Sequence, residues 1–362
     1  MSYSWRSWLG VLAVLFGLLA AAQHATELTR HAVMIAATPS GPLPAAECPA
    51  DELAEEGLSV AECQQMVDNV GNYTLSAPDW FAMSGIVLGA AGTLVALWTV
   101  IAGAALLDHR GWSTRAAAVG FAGLALIDAA GFVAAQSAGP ILRDLYLWDH
   151  LLWFALHLAL LTATLAGRES DPQLLSSAAG DLPTARPFGR VATVCHFVLA
   201  ASIFFLFASS WWMLALPLPS EEFRYRAFPF QLHKNIGLTL VVVLGALLIS
   251  RFRRPPQPPA HERLPVTTHR VAMVAHALLY LAILAVIWSG YMSSSYSGWS
   301  TTFWWVVDLP HWGREDEELN VFYSDVHLWT CWALLAVMAL HIGGALLHAF
   351  KADGFVRRML RP

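Results

Sequence analysis

The chain has 362 residues, 57% of them hydrophobic and only 13% charged, with 16 Trp and a formal net charge of −5. That balance excludes a soluble globular domain and offers no basic surface for nucleic acid. It describes a polytopic protein in contact with membrane lipid.

Eight segments stay apolar for the roughly 20 residues that a bilayer crossing needs: about 7 to 27, 81 to 107, 115 to 137, 146 to 167, 190 to 216, 229 to 251, 270 to 292 and 324 to 350. The expected fold is all-α, a polytopic membrane bundle of about eight transmembrane helices. With the amino terminus in the cytoplasm, only Arg30, Arg143, Arg224, Arg226, Lys234 and Arg314 of the 21 Lys and Arg fall outside. The positive-inside rule therefore puts both termini in the cytoplasm.

The first segment admits two readings. Arg6, the run LGVLAVLFGLLAAA and the small residues before Gln23 also fit a cleaved signal peptide. The run is long for one, which favours a retained anchor. Cleavage would leave seven helices in the same orientation.

The next stretch, roughly His31 to Trp80, reads as an acidic external loop with Cys48 and Cys63. In an oxidising exterior these pair most simply as a disulfide, and closing a loop of about 15 residues contributes on the order of 3 kcal/mol. Two free thiols are the alternative. No CxxCH occurs, so covalent haem attachment is not expected.

Asp128 lies in the third span, and His150 and His157 share a face of the fourth at a spacing of seven. No partner at matching depth is evident, which favours mutual hydrogen bonding or interfacial placement over a third cofactor or a proton path. The stretch GRESDPQLLSSAAGDLPTARPFGR, residues 167 to 190, has the composition of a linker. It divides the chain into a four-helix membrane domain over 1–180, of unassigned role, and a second four-helix domain over 188–362.

The second domain concentrates its histidines. His327 and His341 on the last span are 14 residues apart, a rise of ~21 Å at 1.5 Å per residue, and face the same way to within about 40°. One helix could thus supply a ligand to each of two stacked cofactors. His196 near the start of span five falls at the depth of His341, and His233 near the start of span six at that of His327. Two imidazoles fill both axial positions of a haem iron and make an electron-transfer centre. Zinc would gather its ligands at one point, which two depths exclude. Gly237, Gly343 and Gly344 would let a porphyrin approach the backbone. The alternative class is a transporter or sensor in which the histidines bind a transition metal or respond to pH.

Several stretches of this half carry a family likeness: HKNIG at 233–237, AHALLYLAILAVIWSGYMSSSYSG at 275–298, DLP at 308–310, ALHIGGALLHAF at 339–350 and the trailing FVRRML. On these, residues 188–362 resemble the bacterial cytochrome b561 family of four-helix di-haem proteins; the amino-terminal half carries no such likeness. The resemblance implies two b-type haems, held by His196 with His341 and by His233 with His327. It implies a place in the bacterial inner membrane and electron exchange with quinone. The other reactant would be superoxide, in a superoxide:quinone oxidoreductase, or a periplasmic redox protein or dehydrogenase served by a relay subunit.

His276 matches the family pattern as a contact to haem, and is the alternative ligand should His196 not serve. His348 reads as an interfacial residue. The family's His-Trp on its first helix is His196-Phe197 here, an extra family histidine is replaced at Tyr323 or Ser324, and a family arginine falls at Leu247, while Arg251 is kept. Positive charge at Arg224, Arg226 and Lys234 would steer an anion such as superoxide, whereas Glu221, Glu222 and Glu315 to Glu318 would suit a basic protein. Trp211, Trp212, Trp304 and Trp305 could flank a quinone but fit interfacial anchors better.

Overall fold

The computed structural model describes residues 5–37, 48–50, 53, 57–108, 110–169, 189–216, 225–253 and 266–351. Among these there are nine α-helices and one two-stranded hairpin: α1 Trp5–Ala37, α2 Val60–Ser76, α3 Asp79–Leu107, α4 Ser113–Ser137, α5 Pro140–Glu169, α6 Arg190–Leu214, α7 Ala227–Arg253, α8 Val266–Tyr296, β1 Thr301–Phe303, β2 Val307–Leu309 and α9 Glu317–Lys351. All but α2 are long and apolar enough to cross a membrane, and they are the eight segments expected from hydropathy. The protein is an all-α, multi-pass membrane bundle. Most of the linker, together with Glu221, Glu222 and Arg224, lies outside the described residues.

The crossings form because an isolated apolar helix satisfies every backbone group inside itself. They pack where small residues let backbones approach. A Cβ at Gly103 of α3 would stand 2.8 Å from Ala13 Cβ and 2.9 Å from Gly10 O of α1, so these two helices meet in close contact along their length. Helix α4 packs on α5 and α3, α6 on α7, and α8 on α9, while α1 also lies against α6.

One end of the bundle carries the disulfide. Cys48 and Cys63 are joined at an S–S distance of 2.01 Å with their Cα atoms 6.0 Å apart. Helix α2 follows, opened by a capping box in which Glu62 N–H donates to Ser59 Oγ at 3.2 Å and Ser59 N–H donates to Glu62 Oε2 at 2.8 Å. These bonds to the carboxylate hold Glu62 below the usual carboxylate range. At this disulfide end, Val33, Val70, Tyr73, Phe81, Leu142, Tyr146, Leu216 and Tyr225 form one core spanning both halves.

Two features depart from the sequence reading. The first helix continues to Ala37 rather than stopping near 27, so His31 is a buried helical residue and not the start of a loop. The region after α8, read as plain loop, holds the hairpin β1–β2 in register Thr301↔Leu309. Its turn places Trp304 and Trp305 at φ 48° and 58°, a left-handed conformation that costs non-glycine residues on the order of 1–2 kcal/mol each. Helix α7 offsets that cost. Trp304 N–H donates to Asn235 Oδ1 at 2.9 Å, Trp304 Nε1–H to Thr239 Oγ1 at 3.0 Å, and the Trp305 ring stacks on Phe228 at 5.5 Å.

Candidate functional site

Antiparallel helices set the histidine depths. Helix α7 starts and α8 ends at the disulfide end, so His233, seven residues into α7, meets His327, eleven into α9. Their ring centres are 6.3 Å apart. At the opposite end His196 of α6 meets His341 of α9, with ring centres 6.2 Å apart. Between the pairs lies a layer of Leu199, Ile203, Leu240, Leu244, Ile283 and Leu334, which excludes water from the interior. The two pairs thus share α9 as a spine, separated by an apolar core.

Each separation can be tested against an iron. Two metal–imidazole bonds of about 2 Å, with each ring centre about 1.1 Å beyond its nitrogen, require ring centres about 6.2 Å apart. Both pairs meet that value. His276 also lies beside His341, but at 5.1 Å and nearly edge-on, an imidazole–imidazole contact too short to hold an ion between.

The surroundings fit a large flat group as well. Among the described residues, a Cβ added at Gly237, Gly245, Gly343 or Gly344 would meet nothing within 4 Å. His327 Nδ1–H donates to Val286 O at 2.9 Å, which fixes the tautomer and leaves the Nε2 lone pair for a metal. His233 Nδ1 is 3.3 Å from Ser210 Oγ. His276 Nδ1–H donates to Ala272 O at 2.6 Å. Tyr280 lies one turn from His276, with its hydroxyl buried and without a hydrogen-bond partner among the described residues, and the Arg251 guanidinium over its ring. Leu247, where the family resemblance implies an arginine, is packed in the apolar core at 2% exposure, and the cations that α7 brings to that end are Arg251 and, in the same last turn, Arg253.

The charged groups near the other pair divide. Arg226 is buried and donates from its guanidinium to Leu214 O at the end of α6 at 3.1 Å and to Leu216 O just beyond it at 2.7 Å. Lys234 is half-buried on α7. The exposed rim is acidic, comprising Asp308, Glu315, Asp316, Glu317, Glu318 and Asp325 against Arg314. His348 is half-buried near the far end of α9.

The amino-terminal half holds a second polar cluster, larger than the sequence indicated. His157 Nδ1–H donates to Asp128 Oδ2 at 2.6 Å, and His24 Nε2 is 4.0 Å from Asp128 Oδ1. His31 and Tyr73 are bonded at 2.6 Å. Burial pushes the Tyr73 phenol up, well beyond its ordinary value, so it pairs with His31 Nδ1 as a neutral hydroxyl. Reading spans one at a time hid this cluster, because His24 and His31 sit on α1 while their partners come from α2 and α4. A spacing of seven on α1, matching that of His150 and His157 on α5, was the available signal.

Comparison with known proteins agrees with the geometry of the carboxy-terminal half. A family profile described as prokaryotic cytochrome b561 matches residues 187–362. A protein of Escherichia coli (strain K12) named cytochrome b561 homolog 2 is 28% identical over 178 residues, covering 49% of this chain and 93% of that protein. No solved structure matches significantly. Residues 187–362 are thus similar to the prokaryotic cytochrome b561 family, a family of membrane electron transfer, and the amino-terminal half lies outside that match.

Proposed function

We propose that the carboxy-terminal half is a di-haem electron conduit, with one haem held by His233 and His327 and the other by His196 and His341, exchanging electrons between the quinone pool and a reactant at the disulfide end. The ring separations of 6.3 and 6.2 Å at two depths of one shared helix carry this proposal. Haem bound there supplies reversible one-electron chemistry. The chain's own residues set the two depths, orient His327 through Val286 O and keep the space between dry with the leucine layer. We assign His276 and Tyr280, beside Arg251, to the polar edge of the His196–His341 site. The positive-inside rule places the disulfide end in the periplasm of a bacterial inner membrane.

The periplasmic reactant admits two readings. Superoxide follows from the family likeness, with Lys234 as the nearby cation. A basic redox protein is favoured by the exposed acidic rim and by Arg226 being tied to carbonyls at the end of α6 and just beyond it. Reduced-minus-oxidised visible spectra of the purified chain test the whole proposal. Two b-type haems per chain are expected, and a colourless protein would instead support a transporter or sensor. Stopped-flow mixing then separates the reactants, since superoxide must reduce the haems directly, whereas a basic redox protein must do so at a rate that falls with added salt.

A further inference from the structure

The conduit makes no use of the polar cluster inside the amino-terminal half. Asp128 of α4 is 1% exposed and His157 of α5 is fully buried, and both lie within crossing helices. Ionisable groups are costly at that depth and are retained where they act. Asp128 bonds His157 through one oxygen and has His24 at 4.0 Å from the other, while His157 Nε2 is buried without a partner among the described residues. A carboxylate between two imidazoles, one with a bare nitrogen, has acceptors in excess of its protons.

The cluster continues toward the disulfide end. Helix α1 adds Glu27, Arg30 and His31, with Arg30 Nη1 at 3.2 Å and His31 Nε2 at 3.8 Å from the two Glu27 oxygens. Helix α5 adds Tyr146, whose ring stacks on His31 at 5.7 Å, together with Asp149 and His150. Helix α2 adds Tyr73 as the cover over His31. Helix α3 contributes no titratable side chain beyond Asp79 at its start. A cavity of about 30 Å³ runs among these groups, lined by His24, Glu27, His31, Gly85, Tyr146 and His150. That is room for one or two waters.

Larger ligands do not fit. Among the described residues no three His, Cys, Asp or Glu are arranged to hold a metal ion. A Cβ at Gly85, Gly92 or Gly131 would strike the imidazoles of His31, His24 or His150, which leaves no slot for a porphyrin. The remaining ligand is the smallest one. The geometry points to an intramembrane proton-binding site at Asp128, His157 and His24, supplied from the disulfide end through the water-sized cavity beside Glu27, His31 and His150. A proton leaves water at that end and joins the Asp128–His157 pair, on the carboxylate or on Nε2, and no electron moves.

This site stands apart from the haem proposal, and its test needs no haem signal. Infrared difference spectra of the full chain in lipid nanodiscs, stepped from about pH 4 to about pH 10 in H₂O and D₂O, report carboxyl and imidazole protonation. The expected result is a deuterium-sensitive protonation change that disappears in Asp128→Asn. In His157→Leu the carboxylate loses its N–H donor, so its proton affinity rises at least tenfold and a carboxylic C=O band emerges at a pH where the wild type shows none. His24→Leu should shift the transition in the same sense by less, since it contacts at 4.0 Å. A wild type without such a transition, or a transition unaltered in Asp128→Asn, overturns the proposal. Should Asp128→Asn fail to fold, an unmoved transition in His157→Leu overturns it equally.

Discussion

In the amino-terminal half, a Cβ at Gly92 would fall 2.4 Å from the His24 ring and one at Gly131 2.4 Å from His150; in the carboxy-terminal half, a Cβ at Gly237, Gly245, Gly343 or Gly344 would meet nothing within 4 Å among the described residues. Both halves set histidines on facing helices and place glycines opposite or beside them. In the first the imidazoles fill the space that glycine leaves and turn their nitrogens to a carboxylate and a phenol. In the second the imidazoles face one another across gaps, with open space at these four glycines, while Gly290 backs onto an imidazole, its Cβ position 2.9 Å from the His327 ring. Histidine content therefore does not distinguish a cofactor pair from a hydrogen-bonded cluster. The volume around the ring does.

The sharpest way to break this contrast is to delete imidazoles on each side of it. His233→Ala or His327→Ala should remove one of two haems per chain, His196→Ala or His341→Ala the other, and His24→Ala or His150→Ala neither, as read by haem content per protein. Equal losses from both halves would erase the distinction. Glycine replacements come next in expected effect. Gly92→Ala and Gly131→Ala should destabilise by about 1–3 kcal/mol through overpacking. Gly237→Leu should leave the thermal unfolding of haem-free protein nearly unchanged while lowering haem occupancy.

The smallest effect concerns the cap of α2. The folded-state carboxyl of Glu62 lies below its ordinary 4.5, so its contribution is present above that pH and is lost as pH falls through the lower, folded value. Amide exchange over the first turn of α2 should accelerate in that acid window; Ser59→Ala, which keeps the backbone N–H bond, should weaken the dependence, and Glu62→Gln should abolish it.

The eight crossings were legible because each is an uninterrupted apolar run, and the depth pairing because helical rise is fixed: His327 and His341 could be placed from residue number alone. The end of α1 was not. Its last turns, ELTRHAVMIAA, carry charge that hydropathy assigns to water, and the partners that stabilise it, Glu27 with Arg30 and His31 with Tyr73, join residues up to 42 positions apart. For Asp128 the mutual hydrogen bonding favoured from the sequence is found, but the choice of His157 as its partner was not legible, since that bond spans 29 residues. The hairpin was invisible because its turn is Trp-Trp, whereas sequence rules look for Asn-Gly.

That turn bears on the order of assembly. Left-handed Trp304 and Trp305 are held by Asn235, Thr239 and Phe228 of α7, residues made some 70 positions earlier in the chain. The hairpin can settle only once α7 stands in the bilayer, and α9 follows directly from it. During synthesis it would act as a checkpoint, delivering the last helix to its neighbours with His327 already at the level of His233.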